Sequence, residues 1–217
     1  GLLLGGVLVT ATGGNAVDAY RAMFDGSLGT SHGFRATLQR AVPLILCGLA
    51  VSLALRMQLW NIGGEGQLLV GAATATGIGF ALGGLPGPLL ILLMLAGGML
   101  GGALWAQIAA LPKAWIGLNE IIVTLFLNYI AIRGVSYLVF GPWKDPGAIG
   151  FAYSRPVPER IGLIPGTDFS FSLVIVAVVL TVVWWVFNRT TWGFSVDIAG
   201  GNERAAAYLG MGYRRHV

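Results

Sequence analysis

The sequence predicts an all-α, polytopic bundle of membrane-spanning helices, and three observations support this fold class. Of the 217 residues, 56% are hydrophobic and only 10% are charged, and the mean hydropathy is +0.78. A soluble domain carries about 25% charged residues, so this chain could not cover its surface in water. The apolar residues form runs near the length that crosses a bilayer, about 20 residues. The 34 glycines are typical of helices that pack closely in lipid.

Charged or Gly/Pro-rich joints divide the apolar sequence into about six predicted spans. The first, 1–12, starts at Gly1 rather than at a methionine and is apolar from its first residue. We therefore expect the chain to begin inside a helix. Because it ends at Val217 without a natural stop, we expect further residues there as well. The second span, 37–55, has Pro43 near its start, where a helix tolerates proline.

The third span, 68–82, is short and is closed by a glycine- and proline-rich turn at 83–88. The fourth, 89–111, is expected to end at Pro112, because proline disfavours helix continuation. It carries glycines at the spacing that lets two helix backbones approach closely, which we assign to helix packing: Gly97, Gly98, Gly101 and Gly102.

The fifth span, 120–140, and the sixth, 171–187, flank a proline-rich loop of mixed charge at 141–170. Trp184 and Trp185 lie near the end of the sixth span, as expected for tryptophans at a membrane surface. Apart from Arg133, the lysine and arginine residues divide evenly between the two sides, six on each, so their count does not fix the orientation.

The segment 60–67 interrupts the apolar sequence with polar residues and glycines, among them Asn61, Glu65 and Gln67. Non-helical backbone at membrane depth must be buried in protein or line a water-filled cavity. Transporters use such breaks to bind polar solutes. An ordinary solvent-exposed loop between two helices is the alternative, but charged groups inside membrane proteins usually serve function. We therefore expect this broken segment to line or support a solute path.

Glu120, Thr124 and Asn128 follow one another at four-residue intervals on the fifth span and share one helical face. Arg133 lies on a different face. A polar stripe on an apolar helix is expected to face the interior of the bundle. It could line a solute path or bond neighbouring helices, and the sequence leaves both functions open.

The polar stretch 188–217 includes a predicted short surface helix at 202–211. Asn202 can cap its start, the alanines favour helix, and Gly210 can end it. Such a helix could lie on the lipid surface, or it could dock on a soluble partner.

Several function classes find no support in the sequence. No nucleophile–base set is apparent, so the chain is not expected to be an enzyme. The lone Cys47 excludes a disulfide, and no metal site or bound cofactor is expected. The sequence lacks the phosphate-binding glycine loop, so any ATP must bind to another chain. The net charge of +4 is dispersed, which argues against nucleic-acid binding.

Three stretches resemble the permeases of ATP-binding cassette (ABC) importers for simple sugars and nucleosides, which are relatives of the ribose and branched-chain amino acid permeases. One is 61–67, NIGGEGQ. Another is 118–130, LNEIIVTLFLNYI, with the following GPWKDP at 141–146. The third, 201–210, GNERAAAYLG, resembles the loop that docks on the ATPase, although Glu203 stands where the family usually has proline.

The resemblance implies one transmembrane permease domain over 1–217, with 188–217 as a cytoplasmic coupling loop and 141–170 outside the cell. The polar groups within the apolar sequence, rather than the resemblance, predict a path lined by Asn61, Glu65, Gln67, Glu120, Thr124 and Asn128. The resemblance further implies ATPase contacts from six residues of the coupling loop: Gly201, Asn202, Ala205, Ala206, Tyr208 and Gly210.

The partners implied by this resemblance are a lipid bilayer, a second permease subunit, ATPase subunits that use ATP, and an extracytoplasmic solute-binding protein. The membrane would be the bacterial or archaeal plasma membrane. The solute would be a nucleoside or a simple sugar. An ion-coupled secondary transporter of a small polar solute is the rival function, because it also uses broken helices and buried polar residues.

Overall fold

The computed structural model describes residues 1–150 and 153–201 of the chain. Apart from the long stretch between residues 140 and 171 and shorter loops and turns, these residues form α-helices, as predicted from the composition. A short π-helical turn, Asp25–Gly29, follows the second helix. In chain order the helices are α1 Leu2–Ala11, α2 Ala16–Phe24, α3 Ser31–Arg56, α4 Gly64–Ala81, α5 Gly87–Ile116, α6 Glu120–Phe140, α7 Phe171–Arg189 and α8 Thr191–Gly201.

The predicted all-α membrane bundle is confirmed, but in the part of the chain that the structure describes fewer helices qualify as membrane spans than the six predicted. Within the described residues, four helices are long and apolar enough to cross a membrane: α3, α5, α6 and α7. Helix α1 has 10 residues, and α4 has 18 with a polar first turn. These two correspond to the first and third predicted spans.

The chain divides into two compact units, and the division falls within α3 and α7. The first unit comprises Gly1–Leu46 and Gly162–Val179. Inside it, the Asn15 side chain caps α2 by accepting a hydrogen bond from the Val17 amide at 2.9 Å. An ion pair joins Arg35 to Asp168.

The second unit comprises Cys47–Ile161 and Leu180–Val217, and its centre is the close pairing of α4 with α5. A Cβ atom added to Gly71 would lie 2.9 Å from the Gly98 carbonyl oxygen, and one added to Gly98 would lie 3.2 Å from the Gly71 carbonyl oxygen. Gly101 meets the Thr74 side chain in the same way. The predicted role of these glycines in helix packing is confirmed.

Helix bounds follow the prediction closely for α6 and less closely elsewhere. Helix α5 continues through Pro112 to Ile116, so the predicted end at residue 111 was wrong. Proline removes only its own N–H donor, and the helix ends instead at Gly117, whose φ of +68° suits glycine. Helix α3 begins at Ser31, which places Pro43 inside the helix rather than near its start.

The polar stretches also contain helices that the apolar pattern did not predict. The residues between the first two predicted spans form α2, and α8 occupies the first part of the stretch 188–217. The loop 141–170 includes two isolated β-bridges, one between Lys144 and Ser154 and one between Leu163 and Ser170.

Candidate functional site

The broken segment lies between the end of α3 at Arg56 and the start of α4 at Gly64. Its non-helical part ends at Gly63, so the prediction that the break extends to Gln67 was wrong, and Gly64–Gln67 form the first turn of α4. Asn61 holds this turn. Its Oδ1 accepts from the Gly63 amide at 3.0 Å and from Gln67 Nε2 at 3.2 Å, and its Nδ2 donates to Gln67 Oε1 at 3.3 Å.

Asn128 ties the broken segment to α6. Its Oδ1 accepts a hydrogen bond from the Gly66 amide at 2.8 Å, and its Nδ2 donates to the Ile62 carbonyl oxygen at 2.9 Å. Asn128 is only 7% exposed. The first amides of a helix have no partner within the helix, and here the side chain of a neighbouring helix supplies one. The polar stripe on α6 therefore bonds a neighbouring element at Asn128.

The other two members of the stripe lie where the ends of α5 and α6 meet. Asn119 caps α6 by accepting from the Ile121 amide at 3.0 Å, which places Glu120 in the first turn. The Glu120 carboxylate pairs with Lys113 Nζ at 2.8 Å. Thr124 is 3% exposed and donates to the Glu120 carbonyl oxygen at 2.7 Å.

These groups surround a cavity of about 170 Å³, which we call the amide cavity. Apolar residues of α3 and α5 and Leu59 complete its wall. Glu65 is exposed, and neither Glu65 nor Asn128 lines this cavity. The polar side chains that line it are Asn61, Gln67, Gln107, Lys113, Glu120 and Thr124.

The sequence analysis did not predict two of the lining residues, Lys113 and Gln107. Lys113 was assigned to a joint after the fourth span, because α5 was expected to end before it. Gln107 stands alone in an apolar run, with no second polar residue on its face to draw attention to it. A polar residue isolated in a span is itself a signal of the bundle interior.

The amide cavity offers both hydrogen-bond donors and acceptors, and its one cation is paired with its one anion. Such a lining suits a neutral polar solute, because no unpaired charge has to be compensated. Within residues 1–150 and 153–201, no three His, Cys, Asp or Glu side chains lie close enough to hold a metal ion.

Helix α8 packs directly beside the broken segment. Val196 and Ala199 are buried against Met57 in one apolar cluster. Arg56 pairs with Asp197 at 3.4 Å. A Cβ atom on Gly200 would overlap the Arg56 carbonyl oxygen, so this helix and the end of α3 are in backbone contact.

The residues expected to contact an ATPase begin at the end of α8. Gly201 is the last residue of the helix and is exposed. The remaining members of that set lie outside the described residues: Asn202, Ala205, Ala206, Tyr208 and Gly210.

Comparison with known proteins agrees with the resemblance seen in the three stretches. The sequence profile of the branched-chain amino acid transport system permease component matches residues 34–217. The chain belongs to this permease family. It is therefore a multi-pass membrane protein of a transporter family. No solved structure matches the chain.

Relatives of this permease-family chain are named for sugars and nucleosides. A glucose ABC transporter permease of Haloferax volcanii is 37% identical over 97% of this chain and 58% of its own length. A guanosine ABC transporter permease of Bacillus subtilis is 32% identical over 100% of this chain and 63% of its own. A nucleoside ABC transporter permease of Lactococcus lactis is 28% identical, and the chain covers 62% of it. The chain thus spans less than two thirds of these relatives.

Proposed function

We propose that the chain is part of the permease subunit of an ABC importer and carries a nucleoside or a simple sugar into the cell. The amide cavity carries this proposal. It is a polar, charge-balanced cavity built at the ends of membrane helices and beside a break in the helical backbone. Helices that only anchor a protein in the bilayer need no polar cavity between them, whereas helices that pass a polar solute do.

The solute class rests on the lining and on the relatives. Amide, hydroxyl and paired charged groups match the hydroxyls and heteroatoms of a neutral sugar or nucleoside. Two of the relatives are named for nucleosides or guanosine and one for glucose. An amino acid, with its two fixed charges, would need a pair of opposite charges that are not already bonded to each other.

Membership of the permease family supports a proposal for the partners. We propose that ATPase subunits bind and hydrolyse ATP outside this chain, with 201–210 as part of the docking loop on the cytoplasmic side. A second permease subunit would complete the path, and a solute-binding protein would deliver the solute to the loop 141–170. The membrane would then be the plasma membrane of a bacterium or archaeon.

Deletion of the gene in its own host tests the proposal. Uptake of radiolabelled guanosine and of radiolabelled glucose is measured before deletion, after deletion and with the gene restored on a plasmid. We expect deletion to abolish high-affinity uptake of one of these solutes, and restoration to recover it. Unchanged uptake of nucleosides and simple sugars after deletion would refute the proposal.

A further inference from the structure

A second cavity follows the amide cavity along the same three helices. Its volume is about 490 Å³, and its wall is formed by α4, α5 and α6 together with Trp143. We call it the aromatic cavity, because Trp105, Tyr137 and Trp143 all line it. Trp143 is held in place by Phe80, whose ring meets it edge-on with the ring centres 5.4 Å apart. All these residues belong to the second compact unit.

The two cavities lie on continuous faces of their helices. On α6, Glu120 and Thr124 line the amide cavity, and Ala131 and Val135 line the aromatic cavity. At 3.6 residues per turn, these positions share one face. On α4, Gln67 lines the amide cavity, and Val70 and Thr74 on the same face line the aromatic cavity. On α5, Lys113 and Ala109 line the amide cavity, and Trp105 lines the aromatic cavity. The cavities are therefore two chambers in line.

Asn128, Gly66 and Trp105 meet between the linings of the two chambers, and we call this meeting point the polar constriction. A Cβ atom on Gly66 would lie 2.8 Å from Asn128 Oδ1 and 3.1 Å from Trp105 Nε1. Both side chains thus converge on a glycine that no other residue can replace without displacement. The Gly66 amide is bonded to Asn128.

The indole N–H of Trp105 is the unexplained group at this constriction. Across the described residues, its nitrogen is the one buried side-chain nitrogen or oxygen without a hydrogen-bond partner. A buried indole N–H usually finds an acceptor, and leaving it without one is unfavourable. A donor kept at that cost beside a cavity indicates an acceptor that is present only part of the time.

We propose that Trp105 and Asn128 form the solute-recognising constriction of the path, and that a hydroxylated sugar ring is the group recognised. This inference rests on the proposed function. The sugar ring, common to nucleosides and simple sugars, packs against the aromatic faces of Trp105 and Trp143. One of its oxygens accepts the indole N–H, and its hydroxyls replace the bonds between Asn128 and the broken segment as the ring passes.

The substitution Trp105→Phe tests the donor, because phenylalanine keeps an aromatic ring and removes the N–H. Uptake of guanosine and of glucose is measured in cells that carry the chain with all its partners. Loss of one net hydrogen bond, about 0.5–1.5 kcal/mol, raises KM by about twofold to tenfold for the transported solute. The amount of assembled importer is expected to stay the same. Trp185→Phe is the matched control, because Trp185 lies on α7 outside both cavities. The KM of this variant for the transported solute should equal that of the wild type.

A second measurement leaves Trp105 in place. Cys47 is replaced by serine, and Gly134→Cys introduces a thiol in the aromatic cavity, where an added Cβ meets no atom within 4 Å. Labelling by N-ethylmaleimide should be slowed by guanosine or glucose. Gly48→Cys, on α3 and equally unobstructed, should be labelled at the same rate with and without solute.

The outcomes separate this inference from the proposed function. Wild-type cells that take up no nucleoside and no simple sugar through this chain refute the proposed function and this inference with it. Normal wild-type uptake, with an unchanged KM in Trp105→Phe and no protection of Gly134→Cys, refutes the inference alone. If both solutes are transported and KM rises for guanosine only, the base rather than the sugar ring is recognised, which also refutes it.

Discussion

Asn128 shows how a single side chain at membrane depth replaces missing backbone partners. The amide of Gly66 and the carbonyl of Ile62 belong to a stretch where helical bonding is interrupted, and both bond to Asn128. The Gly66 amide is buried, so it would be unsatisfied without Asn128. Asparagine fits because one side chain supplies an acceptor and a donor at once.

Replacement of Asn128 by alanine should therefore destabilise the protein. It leaves the buried Gly66 amide without its partner, which costs about 1–3 kcal/mol, and it removes the donor from the partly buried Ile62 carbonyl. Thermal unfolding of the detergent-purified protein should show a lower midpoint than the wild type. Asn188→Ala is the control, since Asn188 is exposed and donates to the Trp184 carbonyl oxygen of its own helix at 2.8 Å, and the midpoint of this variant should barely change. Equal midpoints for both variants would contradict this role of Asn128.

The ion pair of Lys113 and Glu120 is expected to couple the ends of α5 and α6. Both side chains are largely covered, with 28% and 15% of their surface exposed. A double-mutant cycle with Lys113→Met and Glu120→Gln should give a coupling energy of about 0.5–3 kcal/mol in the free energy of unfolding. The free energy is obtained from denaturation of the detergent-purified protein. Strictly additive effects of the two substitutions would show that the pair contributes nothing.

The sequence predicted part of this site at the level of residues. Asn61, Gln67, Glu120 and Thr124 line one cavity, because polar groups inside a span have few places to lie other than the bundle interior. Glu65 shares the same local sequence and yet is exposed, since residues two apart on α4 face different directions. The bonding partners of these side chains depend on which helices lie next to each other, and this cannot be predicted from a single sequence.

At the level of elements, the close approach of α4 and α5 depends on the absence of side chains. Gly71 and Gly98 face each other, and a Cβ atom added to either glycine would lie within 3.2 Å of the carbonyl oxygen of the other. In lipid, such packing supplies much of the attraction between helices, because the apolar surface gains little from leaving hydrocarbon.

Gly98→Ala should therefore destabilise this pairing, although alanine favours helix. An added Cβ would lie 3.2 Å from the Gly71 carbonyl oxygen, so the helices must separate slightly. Gly48→Ala is the matched control, because its Cβ meets nothing within 4 Å and alanine stabilises a helix by about 0.5–1 kcal/mol over glycine. Unfolding midpoints in detergent are compared, and a rise in both variants would contradict the packing account.

Helix prediction succeeded where apolarity and caps agree and failed where they do not. The α6 bounds were predicted correctly, since Asn119 caps a helix whose next residues are apolar. Helix α8 was missed because its serine, threonine, glycine and aspartate make it look like a loop. It is helical because its apolar residues, Val196 and Ala199, pack on Met57, which is a tertiary effect.

At the scale of the whole molecule, α8 connects the proposed docking loop to the wall of the proposed path. It ends where the loop begins, and it contacts the turn that leads to Asn61. A displacement of the loop by an ATPase would reach that turn through the backbone contact between Gly200 and Arg56.

Gly200→Ala should weaken transport through this contact. The added Cβ would overlap the Arg56 carbonyl oxygen and lie 3.0 Å from Met57 Cα, so α8 must shift away from the end of α3. We expect a lower uptake rate at an equal amount of importer in the membrane, with little change in KM. Gly48→Ala serves as the control for the same substitution at an open position. Full uptake in the Gly200 variant would show that α8 does not transmit motion here.

The most direct test of the central claim is solute uptake by proteoliposomes that contain the purified importer, assembled from this chain and its partners. The solute-binding protein and labelled solute are added outside, and ATP is enclosed or omitted. The account predicts uptake only with enclosed ATP and no effect of ionophores that collapse ion gradients. Uptake without ATP that ionophores abolish would contradict it and would assign the chain to ion-coupled transport.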